Sequence, residues 1–183
     1  LSNYEFGTDI KDAYFVDCGL TYSGSAATSL SGLNHLEGEK VVVLGDGATH
    51  PDRTVSSGAI TLSRSVKKAH IGFNYISTLQ TMRIDSGGAE GTSQGKTKRI
   101  NNITLRLYKS VGVKVGSSET ELDLIPFRSS ADDMSEALGM FTGDKEVEFR
   151  GGYDNDGFVF VKQDQPLPLT VLAIFPRLQT FDQ

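Results

Sequence analysis

The chain has 183 residues, 38% hydrophobic and 22% charged, with a net charge of −5. That length and balance fit one domain, or one domain with a small second lobe, able to bury its own core. They argue against a dedicated nucleic-acid binder. No apolar run approaches the ~20 residues that span a bilayer as a helix.

Twenty glycines imply many turns with positive φ, hence many short strands. Tyr14–Leu20 reads as the first strand, with Cys18 inside an apolar run as a buried, inert thiol. As the single cysteine it excludes an internal disulfide and cannot build a zinc site. Thr21–Ser31, rich in Ser, Thr and Gly, reads as a loop or loosely paired edge. Gly32–Gly38 reads as a short turn. Lys40–Leu44 is apolar and β-branched, and Gly45-Asp46-Gly47 is a turn signal. Arg53–Val55 and Ala59–Leu62 flank Ser56-Ser57-Gly58 as a hairpin. Lys68–Tyr75 follows, with Ile71 and Phe73 alternating against His70 and Asn74, which places His70 on a polar face.

Thr78–Ile84 is a further strand and Asp85–Gly95 a flexible loop. The clearest strand is Ile103–Tyr108, whose strict alternation sets Ile103, Leu105 and Leu107 against Thr104, Arg106 and Tyr108. Val111, Val113 and Val115 continue the period. Ser129–Leu138 is the only candidate helix, with Ser130 as its cap, and could equally be an irregular excursion. Glu146–Phe149 and Phe158–Val161 flank the turn Gly151–Gly157. Thr170–Phe175 reads as a near-continuous apolar strand buried on both faces.

Candidate chemistry is sparse. Glu90–Thr97 nearly matches a phosphate-binding loop, but Glu90 stands where glycine is needed, and a strand rather than a helix follows. The basic cluster Lys96, Lys98 and Arg99 could meet DNA phosphates or an acidic partner. The commoner reading of such charges is a solvated strand edge. His35, His50 and His70 lack ligand spacing. Asp154-Asn155-Asp156-Gly157 resembles a calcium loop only faintly and reads as a hairpin turn. Glu146 and Glu148 read as solvent-facing neighbours of Val147 and Phe149 rather than an acid/base pair. No catalytic, metal or cofactor residues are assigned.

Six stretches carry a resemblance. They are Tyr14–Tyr22 (YFVDCGLTY), Gly32–Glu39 (GLNHLEGE), Val42–Pro51 (VVLGDGATHP), Gln94–Arg99 (QGKTKR), Phe141–Asp144 (FTGD) and Gln163–Ile174 (QDQPLPLTVLAI). In this order they resemble the C-terminal region of the tail nozzle, or tail tubular protein B, components of short-tailed bacteriophages, over most of residues 14–175. In that group the matching run ends a longer polypeptide, and the start at Leu1 without methionine fits a piece of such a chain. The resemblance implies a small barrel, about residues 33–76, similar to the first catalytic cysteine half-domain of ubiquitin-activating enzymes, without their chemistry.

The expectation is an all-β, sandwich- or barrel-like fold of about twelve short antiparallel strands, with a small nested barrel and at most one short helix. Residues 1–32 and 77–183 would form the main domain and 33–76 the insert. The resemblance implies a non-enzymatic virion protein, assembled in the host cytoplasm. It would sit in a homo-oligomeric tail ring, usually sixfold, that continues the DNA channel. Its partners would be copies of itself, adaptor and fibre proteins, and translocating DNA in passing, with no membrane insertion. The alternative is a receptor- or glycan-binding module, with Tyr22 or Tyr153 stacking on sugars.

Overall fold

Eleven strands and two single 3-10 turns make up the regular structure of residues 9–85, 92–130, 132–133 and 136–181, the part of the chain that the computed structural model describes. All strand pairs are antiparallel. They form three open sheets, and no α-helix occurs among the described residues. Ala131, Met134 and Ser135 of the expected helix lie outside the described residues. The rest of that stretch is turn, bend and irregular chain, held by Ser129 N donating to Asp132 Oδ2 at 2.6 Å.

The chain divides into two compact units. The first comprises the described parts of Leu1–Ile76, Phe127–Met140 and Asp164–Pro168. Its sheet contains β1 (Asp17–Ser31), β2 (Lys40–Gly45), β3 (Ala48–Thr54) and β4 (Ala59–Phe73), in the order β1-β4-β2-β3. The stretch expected to be a loop or loose edge, Thr21–Ser31, is most of a 15-residue strand. Its small polar residues carry little apolar signal, but β4 is equally long and supplies its partners from Asp17↔Phe73 to Ser31↔Ala59. Segment 17–31 therefore belongs with 33–76, not with 77–183. Because β1 and β3 are both edges, residues 33–76 do not close into a barrel.

One face of this sheet is aliphatic. Leu30, Leu33, Leu36, Val41, Val43, Val55, Ile60, Leu62, Val66, Ala69 and Ile71 form one buried cluster, and each buried Leu, Ile or Val side chain stabilises the fold by roughly 1.5–3 kcal/mol. The opposite face, where alternation places His70, is buried too. The segment ahead of β1 lies over it: Ile10, Ala13 and Val16 are buried, and Tyr14 meets the His70 ring edge-on at 5.4 Å. His70 is thus 4% exposed, a correction to its expected solvent-facing role. Its Nε2 donates to the Lys11 carbonyl at 3.0 Å, so Nδ1 accepts from the Thr21 hydroxyl at 2.9 Å. At Gly72 two backbones approach closely, since a Cβ there would stand 2.5 Å from the Asp17 carbonyl oxygen.

The second unit comprises the described parts of Ser77–Pro126, Phe141–Gln163 and Leu169–Gln183. One sheet joins β5 (Ser77–Gln80), β10 (Phe160–Gln163), β7 (Lys114–Gly116) and β8 (Leu122–Leu124), in that order. The other centres on β6 (Thr97–Ser110), between β11 (Val171–Phe181) and β9 (Phe141–Glu148). Ile103, Leu105 and Leu107 are fully buried, so the alternation of that strand holds; Val111, Val113 and Val115 are buried too, but residues 111–113 lie between β6 and β7 rather than in a strand. Strand β11 departs from expectation. It is an edge strand, and Leu172 (60% exposed) and Phe175 face solvent, so it is not buried on both faces.

Burial lowers the pKa of His70 from its ordinary value, as does nearby Lys68, against the Lys11 carbonyl and Asp12, which raise it. His50 is lowered in the same direction, by burial first and then by Arg64 and Arg53, against Asp46. The unfolded chain then binds more protons than the folded one below about pH 6.5, so stability is complete above that pH and lost as pH falls. Urea midpoints measured from about pH 7.5 to 5 are expected to decline, and His70→Gln, which cannot titrate, is expected to decline less over the same range.

Candidate interaction surface

The basic cluster lies where β6 begins. Strand alternation splits it. Ile100 is buried, and Lys98, two residues earlier, shares its face and is 2% exposed. Lys98 Nζ donates to the Asn155 carbonyl at 2.9 Å, and its backbone exchanges two hydrogen bonds with Asp154 at 2.7 and 2.8 Å. Lys98 is therefore a fastener for the 154–157 turn and is not available to DNA. Burial opposes ionisation of Asp154. The amides of Gly157, Asp156 and Asn155, with the charge of Lys98, outweigh it and hold the carboxyl below its usual range. Asp154 Oδ2 accepts from Gly157 N at 3.0 Å, and Gly157 has φ +65°. The faint calcium-loop pattern is thus a carboxylate-capped turn, with one carboxylate oxygen engaged by the chain itself.

Arg99 points the other way. Its guanidinium carbon lies 5.5 Å from the centre of the Tyr153 ring, and that ring meets Phe181 edge-on at 5.2 Å. Tyr153 is 62% exposed and Phe181 is exposed as well. Pairing explains the convergence: Arg99 sits opposite Gln179 and Thr97 opposite Phe181, so the end of β11 delivers Phe181 to the face that carries Arg99. Asn155 accepts from the Thr97 hydroxyl at 3.3 Å beside this patch. The result is an exposed cation over one aromatic ring that packs against a second, flanked by amide and carboxylate groups. Such a surface can stack on a flat or apolar ligand face and pair with an anion. Tyr153 was legible as a candidate, but Phe181 was not, because only cross-strand register brings it there.

The same face continues along β6. Arg106 makes a two-pronged bond to Asp144 at 2.7 and 2.8 Å and lies 5.2 Å from the Phe175 ring. Hydrogen bonding from Arg106 holds the Asp144 carboxyl below its usual range. Asn102 donates to Glu146 at 2.9 Å. Glu146 and Glu148 are exposed while Phe149 is buried, as alternation required.

The remaining candidates do not converge with this patch. Lys96 is half-buried in the turn before β6. In the phosphate-loop lookalike, Glu90 and Gly91 lie outside the described residues. Its Thr92 hydroxyl, Ser93 amide and Ser93 hydroxyl all donate to Asp85 at 2.9–3.0 Å, so an internal carboxylate occupies donors that a phosphate would use. Strand β6 follows it, as the sequence indicated. Cys18 is exposed rather than buried. It has φ +47° at the register shift between Asp17 and Leu20, which turns it out of the strand. His35 Nε2 meets the Cys18 carbonyl at 2.9 Å, and the Tyr22 hydroxyl donates to the Ser25 carbonyl at 2.6 Å. Among the described residues no three His, Cys, Asp or Glu side chains converge as a metal site. No protein-family model matches the chain, and no curated protein matches it.

Lys98→Met removes a buried charged donor from the Asn155 carbonyl and is expected to destabilise the fold by about 1–3 kcal/mol in urea unfolding. Arg99→Ala, on the exposed face, is expected to stay within about 0.5 kcal/mol of the parent chain.

Proposed function

We propose that this chain is a structural module of a bacteriophage tail, part of an oligomeric nozzle or tail-tube ring that continues the DNA channel. The six ordered stretches support this reading, as does an all-β fold built of open sheets. The carrying observation is β5. Three open sheets leave six edge strands, and an unprotected edge is a template for pairing with another chain. Five of the six carry a charge, a proline or a register shift: Asp17 and bulges in β1, Pro51 in β3, Asp123 in β8, Asp144 to Glu148 in β9, and Pro176 in β11. Strand β5, Ser77-Thr78-Leu79-Gln80, has none of these in its described pairing, and all four residues are exposed. Met82, just beyond it, is 87% exposed. Among the described residues, of the ten large hydrophobic side chains that stay exposed only Tyr75 and Ile76 belong to the first unit, so the second unit carries most of the described surface suited to contact with other chains.

In this reading β5 adds to a sheet of a neighbouring copy. Head-to-tail pairing of that kind forms rings when the rotation closes. Adaptor and fibre proteins are the remaining partners, and the outward Arg99 is the member of the basic cluster suited to touch DNA. The protein acts in the virion and performs no catalysis. A second reading, a receptor- or glycan-binding module, is favoured by one feature, the exposed Tyr153–Phe181 pair beside Asp154 and Asn155. Aromatic faces flanked by amides and carboxylates suit sugar rings.

Light scattering on a size-exclusion column is expected to show a mass that rises with concentration above the 19.8 kDa of one chain. Leu79→Lys places a charge on the exposed edge and is expected to hold the chain monomeric with an unchanged circular dichroism spectrum. Association that survives Leu79→Lys, or a monomer at every concentration, would remove β5 as the assembly edge and turn attention to sugar binding at Tyr153.

A further inference from the structure

A separate cationic site lies in the first unit. Strand β3 contains a bulge: Val41 and Val43, two apart in β2, pair with Arg53 and His50, three apart in β3. The additional residue restores parity, so His50 and Arg53 project from the face that carries the fully buried Val41 and Val43. From β4, exposed Arg64 reaches the same place and donates Nε to His50 Nε2 at 3.1 Å. With Nε2 accepting, the imidazole is neutral and carries its proton on Nδ1. The ring packs over Gly45, where a Cβ would lie 2.7 Å from Nε2.

The charges at this point are unmatched. Arg53 Nε is buried with no hydrogen-bond partner, and a buried donor without an acceptor is costly. The charges of Arg64 and Arg53 both bear on His50. The nearby acids are engaged elsewhere. Asp52 pairs with Lys40 at 2.9 Å. Asp46, which also bears on His50, accepts from the amides of Lys67 and Lys68 at 3.0 and 2.9 Å. In a chain of net charge −5, two guanidinium charges thus bear on one imidazole, and among the described residues no carboxylate is bonded to either arginine.

We infer that His50, Arg53 and Arg64 form a binding site for a tetrahedral oxyanion of the phosphate type. Two planar guanidinium forks present several N–H donors to one ligand, which suits an anion with several acceptor oxygens. Arg53 supplies the half-buried wall and Arg64 the exposed one. His50 turns from acceptor to third donor when the ligand's charge offsets that of the arginines: Nε2 takes up a proton from water and gives up the bond from Arg64 Nε. The same chemistry recognises free phosphate and the phosphates of a nucleic-acid backbone.

The test is nuclear magnetic resonance of the His50 imidazole in the whole chain, titrated with inorganic phosphate against chloride at equal ionic strength. Phosphate is expected to shift the His50 signals saturably and to raise its pKa, while chloride does neither. Arg53→Gln and Arg64→Gln are each expected to weaken phosphate binding by about ten-fold, the effect of one charge-assisted hydrogen bond. Arg64 is exposed, so its variant keeps the test intact if Arg53→Gln fails to fold. A short DNA duplex that produces the same His50 shift identifies backbone phosphate as the source of the anion, and a duplex without effect identifies the free ion. Equal responses to phosphate and chloride, or undiminished binding in Arg64→Gln, would overturn the assignment.

Discussion

The three-stranded sheet of the second unit depends on β6, its only strand with hydrogen-bonded neighbours on both sides. Its fourteen residues pair with β11 and β9, and the register shift between Ile100 and Asn102 keeps two faces consistent along the strand. Inward, Ile100, Ile103, Leu105 and Leu107 supply the core. Outward, Arg99 and Arg106 lie over aromatic rings delivered from the neighbouring segments. A slip of one residue would exchange these faces and bury the arginines. Register in β6 therefore sets the core and the exposed patch together, and the buried Lys98 marks the same constraint from inside.

Openness is the complementary constraint. None of the three sheets closes on itself, so each ends in strands whose backbone groups lack sheet partners on one side. Most edges are blunted by charge, proline or bulge, while β5 is left plain. In the first unit the bulge in β3 has a second consequence, since it aims His50 and Arg53 to one side. Irregular pairing thus protects one edge and gathers charge beside it.

Much of this was legible in the sequence. Alternation at Ile103–Tyr108 located a strand and its buried face, because period-two burial leaves a direct trace. The all-β class followed from the glycine-marked turns. Three kinds of feature were not legible. Periodicity cannot separate a central strand from an edge, so β11 read as doubly buried although Leu172 and Phe175 are exposed. Coverage by a distant segment leaves no local mark, so His70 read as solvent-facing although residues 10–16 cover it. Partners confer strand structure on sequences with weak propensity, as β4 does for the Ser/Thr/Gly-rich β1. The basic cluster was visible as composition, but its division into a buried Lys98 and an exposed Arg99 follows only once Ile100 is known to face inward.

The account rests on β5 as an edge available to another chain. Amide hydrogen exchange measured across a range of protein concentrations tests this residue by residue. The account predicts that β5 amides not bonded to β10 exchange rapidly in dilute solution and gain protection as concentration rises, while the amides of the charged edge β9 do not change. Protection of β5 that is the same at every concentration, or that appears first in β9, would contradict it.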